Sequence, residues 1–322
     1  MPIIAIIGAG QLGGRHLQGL LRLERPADIH VVDPSAAALD VARTRAGEVH
    51  HGTAHAVFFA SSADALPDAL DYAIVATNAD IRLPVIEALL ARSRVRHLLL
   101  EKVLFQSVAE YDRAQEILRT AGVSTWVDCA RRVYPNYDDV KAFFADEAIR
   151  TFDVTGGGWG LGCNIVHFLD IFAHLSGEIV DRIDTRELDD RVVQSRRAGF
   201  VEVTGTLTGR SPRARFSATC HTDNRAGILI TIRSDSRSCV IDEAGGMAFF
   251  GDHRAKTWSQ EPFVLPFLSE ASTGIARDIL GRGKCALPDL AESSAVHVPL
   301  IRALAAFISG RTGGPADVCP IT

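Results

Sequence analysis

Long hydrophobic runs, paired cysteines, internal repeats and an excess of basic charge are all missing from this 322-residue chain. No apolar run approaches the roughly twenty residues that a membrane-spanning helix needs, so no membrane contact is expected. The apolar N-terminus is too short for a signal peptide and lacks a basic leader, so it reads as a first strand. Cys129, Cys163, Cys220, Cys239, Cys285 and Cys319 are scattered without paired spacing. That pattern argues against a disulfide framework and a structural zinc site, and for free, buried thiols in a reducing cytoplasm. With 34 Lys+Arg against 39 Asp+Glu, the formal net charge is −5. Sequence-independent nucleic-acid binding needs a basic surface, and no helix-turn-helix signal is present either. What remains is an ordinary globular composition, 47% apolar and 23% charged, with length enough for two domains and a substantial core.

The strongest positive signal opens the chain. Ile3 to Ile7 reads as a buried parallel strand that stops at Gly8-x-Gly10-x-x-Gly13, and a helical pattern with Leu12, Leu17, Leu20, Leu21 and Leu23 follows. Gly8 permits the tight turn, Gly10 lets a pyrophosphate approach the backbone, and Gly13 lets helix and strand pack closely. Gln11 and Leu12 complete the cofactor-binding turn, and the N-terminal dipole of the new helix favours phosphate. A second strand, Ile29 to Asp33, ends in a carboxylate twenty positions after Gly13. Such a carboxylate accepts hydrogen bonds from the adenosine ribose hydroxyls and repels a 2′-phosphate, which favours NAD over NADP. Arg43 and Arg45 lie nearby and soften that preference.

The first third continues as alternating strand and helix, predicting a doubly wound parallel sheet. Ser35 is placed to cap a helix over 35–46, and a third strand is expected near 57–60. Strands follow at 71–77, 96–101 and 123–128, with helices at 81–92 and 107–121. A dinucleotide-binding domain over 1–122 is therefore expected, with a substrate-binding and oligomerisation α+β domain over 123–322. In that second part 201–207, 214–219 and 228–232 alternate with period two, as in an antiparallel sheet with one covered face. A helix is expected over 165–175, stopped by Ser176-Gly177. A last helix at about 290–309 should pack back, before a loose tail from Gly310. An open sheet face left with few covering helices predicts a homo-dimer or homo-tetramer.

At the end of the fifth strand stands Glu101-Lys102, outside the carboxyl end of the sheet where such folds bind ligands. Here the sequence resembles the glucose–fructose oxidoreductase / inositol dehydrogenase / rhizopine catabolism family (Gfo/Idh/MocA), whose members carry Glu-Lys-Pro at this place. The resemblance makes Lys102 the lysine that contacts nicotinamide ribose and substrate, with Val103 in place of a proline that is often cis. Ala76-Thr77-Asn78 matches the family's Ala-Thr-Pro stretch against the cofactor. Arg131-Arg132 resembles a segment bordering the substrate, although two solvated arginines near Asp138 and Asp139 explain the pair equally well.

The second signature is Gly160-Leu-Gly-Cys163-Asn164-Ile-Val-His167-Phe-Leu-Asp170. The family shows Asp-x-Gly-x-His-x-x-Asp here, so His167 and Asp170 match while Cys163 replaces the first aspartate. Asn164 beside it can hydrogen-bond a hydroxyl but cannot share a proton as a carboxylate would. The resemblance implies hydride transfer between NAD and a carbinol or ketone carbon of a sugar-like or polyol substrate. His167 would be the acid–base group and Lys102 the alkoxide stabiliser, the two acting as one catalytic unit, with Asn164, Arg131, Arg132 and Asp170 at the substrate. Imine reduction in the same site is an alternative. On its own, His167 also fits a core histidine among Phe168, Leu169, Ile171 and Phe172. A metal on His167, Asp170 and His174 is conceivable by spacing, but this chemistry needs none. A non-catalytic nucleotide-binding sensor of the same fold is the competing reading, favoured by the lost aspartate and opposed by Lys102 and His167.

Overall fold

The computed structural model describes residues 1–49, 52–222 and 226–322. It divides into two compact units, one of residues 1–105, 109–130 and 266–291, the other of residues 106–108, 131–265 and 292–322. The expected boundary after residue 122 falls short: the first unit runs on through the last parallel strand to Ala130 and takes in a later segment, 266–291.

In the first unit, β1 (Ile3–Ile7), α1 (Gln11–Leu20), β2 (Asp28–Val32), α2 (Ala36–Gly47), β3 (Ala56–Ala60), β4 (Ala69–Val75), α3 (Ala79–Arg92), β5 (Arg94–Leu100), α4 (Val108–Thr120) and β6 (Ser124–Val127) alternate as expected. The six strands are all parallel, in the order β3-β2-β1-β4-β5-β6. The order reverses beside β1, and such a switch point opens a crevice at the carboxyl ends of the strands. Ile4–Ile7 of β1, Ala73–Val75 of β4 and Leu98–Leu100 of β5 are buried Ile, Val, Leu and Ala, the composition of a sheet covered on both faces at this end. Ser35 caps α2 as its position suggested, its hydroxyl accepting the Ala38 N–H at 3.3 Å.

Helix α7 (Leu268–Arg282) was not legible in advance. It docks on α1, where Thr273 Oγ1 donates to the Gly19 carbonyl at 2.8 Å. A Cβ on Gly19 would stand 2.5 Å from the Ser269 carbonyl oxygen, so only glycine lets the two helices approach this closely. Its buried positions include Ser269, Ser272 and Thr273, which is why the apolar period of this helix is weak.

The second unit holds α5 (Pro135–Phe143), β7 (Thr151–Gly157), α6 (Leu161–Ser176), β8 (Arg182–Asp184), β9 (Val193–Gln194), β10 (Val201–Glu202), β11 (Gly205–Arg210), β12 (Arg215–His221), β13 (Leu229–Arg233), β14 (Arg237–Asp242), β15 (Met247–Asp252) and β16 (Thr257–Pro262). From Glu292 onward it also contains α8 (Leu290–Thr312). Eight strands form one sheet, β16-β15-β14-β13-β7-β12-β11-β8, antiparallel except where β7 meets β12. Phe152 and Phe216 stack on its covered face at 5.7 Å, and Phe172 of α6 meets both rings edge-on. The strand expected over 201–207 is broken: β10 pairs with β9 in a separate ribbon, and β11 enters the large sheet.

Two further expectations are corrected. Helix α8 is, by length and composition, long and apolar enough to cross a membrane, with mean hydropathy 1.3, and 56% of that window is buried in the protein. In the sequence Ser293, Ser294, His297 and Pro299 interrupt its apolar run. The tail is tethered rather than loose: Cys319 N–H donates to the Gln106 carbonyl at 2.7 Å and Val201 N–H to the Pro320 carbonyl at 2.9 Å, while Cys319 and Ile321 are buried.

Candidate functional site

The glycine turn has the geometry its spacing called for. Gly8 adopts φ +97°, and a Cβ on Gly13 would stand 1.8 Å from the Gly8 carbonyl oxygen. Gly10 is exposed, and a Cβ there would meet nothing within 4 Å. The first turn of α1 carries no acidic side chain, so its dipole remains available to an anion. Asp33 accepts the Ala9 N–H at 2.7 Å and the Ser35 N–H at 2.8 Å, which fixes its carboxylate beside the turn. Arg45 donates to the Gln11 carbonyl at 2.9 Å and also engages the Gln11 side chain, lying across the start of α1. Arg43 is occupied by Asp40 and lies over Phe59.

After β4, the Thr77 hydroxyl is buried without a hydrogen-bond partner. Asn78 is exposed at the start of α3 and makes no side-chain cap. An orphaned hydroxyl, an open space above Gly10 and an unopposed helix terminus together fit a dinucleotide. Arg82, missed in the sequence, braces this rim: fully buried, it donates to the carbonyls of Thr77, Val103 and Leu104. Lys102 is half-buried, and the Lys102–Val103 peptide is cis although no proline is present.

Glu101 turns inward. It accepts from His16 Nε2 at 2.9 Å, while His16 Nδ1 meets Ser272 Oγ at 2.8 Å. Asp128, after β6, lies 3.6 Å from the same imidazole nitrogen, and neither of its carboxylate oxygens has a hydrogen-bond partner. Burial alone would lower the His16 pKa, but the hydrogen bond and charge of Glu101 outweigh it and the pKa rises. Burial likewise pushes Glu101 up, yet His16, Lys102 and Arg82 together bring it below its ordinary value. Asp128 is pushed up to about 7, by burial first and then by the neighbouring Glu101 charge. The donor atoms of His16, Glu101 and Asp128 lie within 4.8 Å of one another. The direct 2.9 Å hydrogen bond makes this a buried ion pair with a protonatable neighbour rather than an open ligand set.

In the second unit the candidate residues belong to α6 and the segment before α5. Glu202 of β10 accepts the N–H groups of Gly162 and Cys163 at 2.7 and 3.1 Å. A carboxylate therefore already stands at the first turn of α6, where Cys163 replaces an acidic residue of the motif. Only the fold reveals this, since residues 163 and 202 are distant in sequence. Asn164 Nδ2 donates to the Trp159 carbonyl at 2.7 Å, and Trp159 Nε1 donates to Thr219 at 2.9 Å. His167, half-buried, lies one turn beyond Asn164 on the same helix.

Arg131 and Arg132 are not solvated. Arg131 forms a two-pronged pair with Glu243 and lies 4.5 Å over the Phe168 ring. Arg132 donates to Asp170 at 2.8 Å. Asp170 is fully buried, and burial raises it to about 6 against the pull of Arg132. His174 is lowered to about 4 by burial and by the charges of Lys141 and Arg132. Asp170 and His174 thus each lie beside a cation of the protein, Arg132 and Lys141 respectively.

Comparison with known proteins finds a family match in the first unit and fold matches over the whole chain. A family model, "Oxidoreductase family, NAD-binding Rossmann fold" (GFO_IDH_MocA), matches residues 3–129. No curated protein matches the chain in sequence. Among solved structures, an oxidoreductase of Agrobacterium radiobacter in complex with NAD+, L-tartaric acid and magnesium is 16% identical, with TM-score 0.75 over 96% of this chain and 97% of that one. The UDP-N-acetylglucosamine 3-dehydrogenase of Acidithiobacillus ferrooxidans is 15% identical, with TM-score 0.68 over 94% and 96%. A super-repressor mutant of Gal80p from Saccharomyces cerevisiae is 13% identical, with TM-score 0.71 over 96% and 97%. At such identities these likenesses show the fold alone. Residues 3–129, which hold the glycine turn and Glu101-Lys102, thus match the NAD-binding Rossmann part of the Gfo/Idh/MocA oxidoreductase family.

Proposed function

We propose that this protein is an NAD(H)-dependent dehydrogenase or reductase acting on a carbinol or ketone carbon of a polyhydroxylated, sugar-like substrate. The observation that carries this reading is an intact dinucleotide turn in a chain that also retains Lys102 after β5 and His167 on α6. The cofactor, when bound, supplies the hydride acceptor or donor at nicotinamide C4. Gly8, Gly10, Gln11, Leu12, Gly13, Thr77 and Asn78 hold it, and the Asp33 carboxylate favours ribose hydroxyls over a 2′-phosphate. His167 takes the substrate hydroxyl proton in oxidation and returns it in reduction. The Lys102 ammonium stabilises the alkoxide formed on the way to the carbonyl, and Asn164 orients a neighbouring hydroxyl. Arg132 serves this site by holding α6 through its ion pair with Asp170, and Arg131, fixed by Glu243, lies over Phe168 of the same helix. An imine is a second acceptor that the same acid–base pair can serve.

Two of the structurally similar proteins support the substrate class, one being a sugar-nucleotide dehydrogenase and the other a complex with a polyhydroxylated acid. The free state of all six cysteines supports a cytoplasmic setting. The deciding experiment measures NAD(H) turnover on a panel of polyols, sugars and sugar nucleotides. Turnover that depends on Lys102 and His167 supports the reading.

A second reading, a non-catalytic NAD-binding regulator, is favoured by Cys163 in place of the motif aspartate and by the likeness to Gal80p. Tight NAD(H) binding with no turnover on any member of the panel would select it.

A further inference from the structure

The nucleotide-binding unit carries a second cleft, at the amino-terminal edge of its sheet. It has a volume of about 560 Å³, within the range of small-molecule sites. The strand ends bearing Gly8, Asp33, Thr77 and Glu101 lie at the other edge. Four guanidinium groups line the cleft: Arg25 ahead of β2, Arg96 early in β5, and Arg277 and Arg282 on α7. Among the described residues lining the cleft they face two carboxylates, Glu24 and Asp71, and Asp71 Oδ2 is already engaged by the Ile3 N–H at 2.9 Å. Arg282 is paired with Asp278. Arg25, Arg96 and Arg277 have no ion-pair partner among the described residues.

Unpaired arginines gathered in a concave site are unexpected in a chain whose formal net charge is −5. Scattered over a convex surface they would be ordinary solvated groups; lining one cleft, they create a local positive field. The floor adds a polar group of its own. His97 is only 6% exposed, and its Nδ1 lacks a hydrogen-bond partner. Leu23 and Ile279 give the cleft apolar walls, which reduce the screening of charges held against them. Planar guanidinium forks match the oxygens of a phosphate two at a time.

We propose that this cleft is a binding site for a phosphorylated small molecule, with Arg25, Arg96 and Arg277 holding its phosphate. The site is separate from the dinucleotide turn and stands or falls independently of the redox reading. Its concave shape and limited volume suit a phosphate monoester, not a nucleic-acid backbone or a flat membrane surface.

The test is calorimetric titration of the full chain, saturated with NADH so that the glycine turn is filled. Inorganic phosphate and glucose 6-phosphate are the probes, with sodium chloride at matched ionic strength and succinate as controls. The expected result is saturable binding of both phosphates. Arg96→Gln combined with Arg277→Gln should weaken it at least about tenfold. NADH affinity should stay unchanged in that variant, which shows that the unit remains folded. Phosphate binding no stronger than chloride, or equal binding by the double variant, overturns the proposal. Tighter binding of succinate than of phosphate overturns the ligand class.

Discussion

His16 Nε2 lies 2.9 Å from the Glu101 carboxylate, and both groups are buried in the nucleotide-binding unit. The pair holds the residue immediately before Lys102 from within, so the segment carrying the lysine is anchored beneath the surface. Asp128, 3.6 Å from the same imidazole, is the group left without hydrogen bonds.

That arrangement sets a pH dependence. Asp128 is pushed up from an ordinary carboxylate value to about 7, so between about 4 and 7 the folded state holds a proton that the unfolded state has released. Its contribution to stability is therefore full at the acidic end and is lost as pH rises to about 7. Asp128→Asn should remove this loss. The thermal midpoint of the variant should exceed that of the parent at pH 8, and the difference should shrink toward pH 4. A constant difference across that range would show that Asp128 does not titrate as described.

Gly10 and Gly13 should separate binding from folding. A Cβ at Gly10 meets nothing within 4 Å, whereas one at Gly13 stands 1.8 Å from the Gly8 oxygen. Gly10→Ala is expected to leave the thermal midpoint within about 3 °C of the parent and to abolish the stabilisation by NAD(H). Gly13→Ala should lower the midpoint by about 5 °C or more even without ligand. Calorimetric scans with and without NADH check both.

Cofactor choice rests on Asp33, whose carboxylate is held by two backbone N–H groups beside the turn. NAD(H) should raise the thermal midpoint more than NADP(H) at equal concentration. Asp33→Ser should shift the preference about tenfold toward NADP(H), because a ribose acceptor and a repulsive charge are both lost. Equal or greater stabilisation of the parent by NADP(H) would refute the assignment.

Lys102→Met and His167→Ala should each leave NADH affinity within a few-fold and lower turnover by roughly a hundredfold or more, the scale of a positioned acid–base group. The double variant should lose much less than the product of the two effects, since groups serving one step are non-additive. Near-parental turnover of either single variant on an identified substrate would sink the catalytic assignment.

The outer strand β16 is exposed along its whole length, with Trp258 58% exposed, and Phe249 of β15 beside it is 36% exposed. A second copy of the chain is the expected cover for this edge and the open sheet face. Light scattering should show a dimer or tetramer at micromolar concentration, and Trp258→Arg should shift it toward monomer. A parent protein that is monomeric under these conditions contradicts the expectation.

Local chemistry made much of the first unit legible. Apolar runs of strand length, a glycine triplet and a terminal acidic residue constrain neighbouring backbone directly, and Ile3–Ile7, Gly8, Gly13, Asp33 and Ser35 took the conformations their types require. The alternation around residues 214–232 likewise announced the antiparallel sheet, because period two follows from the pleat. Other features depend on partners remote in sequence. Helix α7 buries serine and threonine against a glycine of α1, so neither its apolar period nor its place in the first unit could be read from its own residues. His16 reads as one more polar helix residue until Glu101, Asp128 and Ser272 close around it. Glu202 looks like an ordinary strand position, and Cys163 like a lost charge, until β10 brings that carboxylate to the first turn of α6. Sequence determined the elements and the cofactor turn because those obey short-range sterics and hydrogen bonding. Tertiary structure alone decided which polar groups are desolvated together, since burial and charge coupling arise only when distant segments pack.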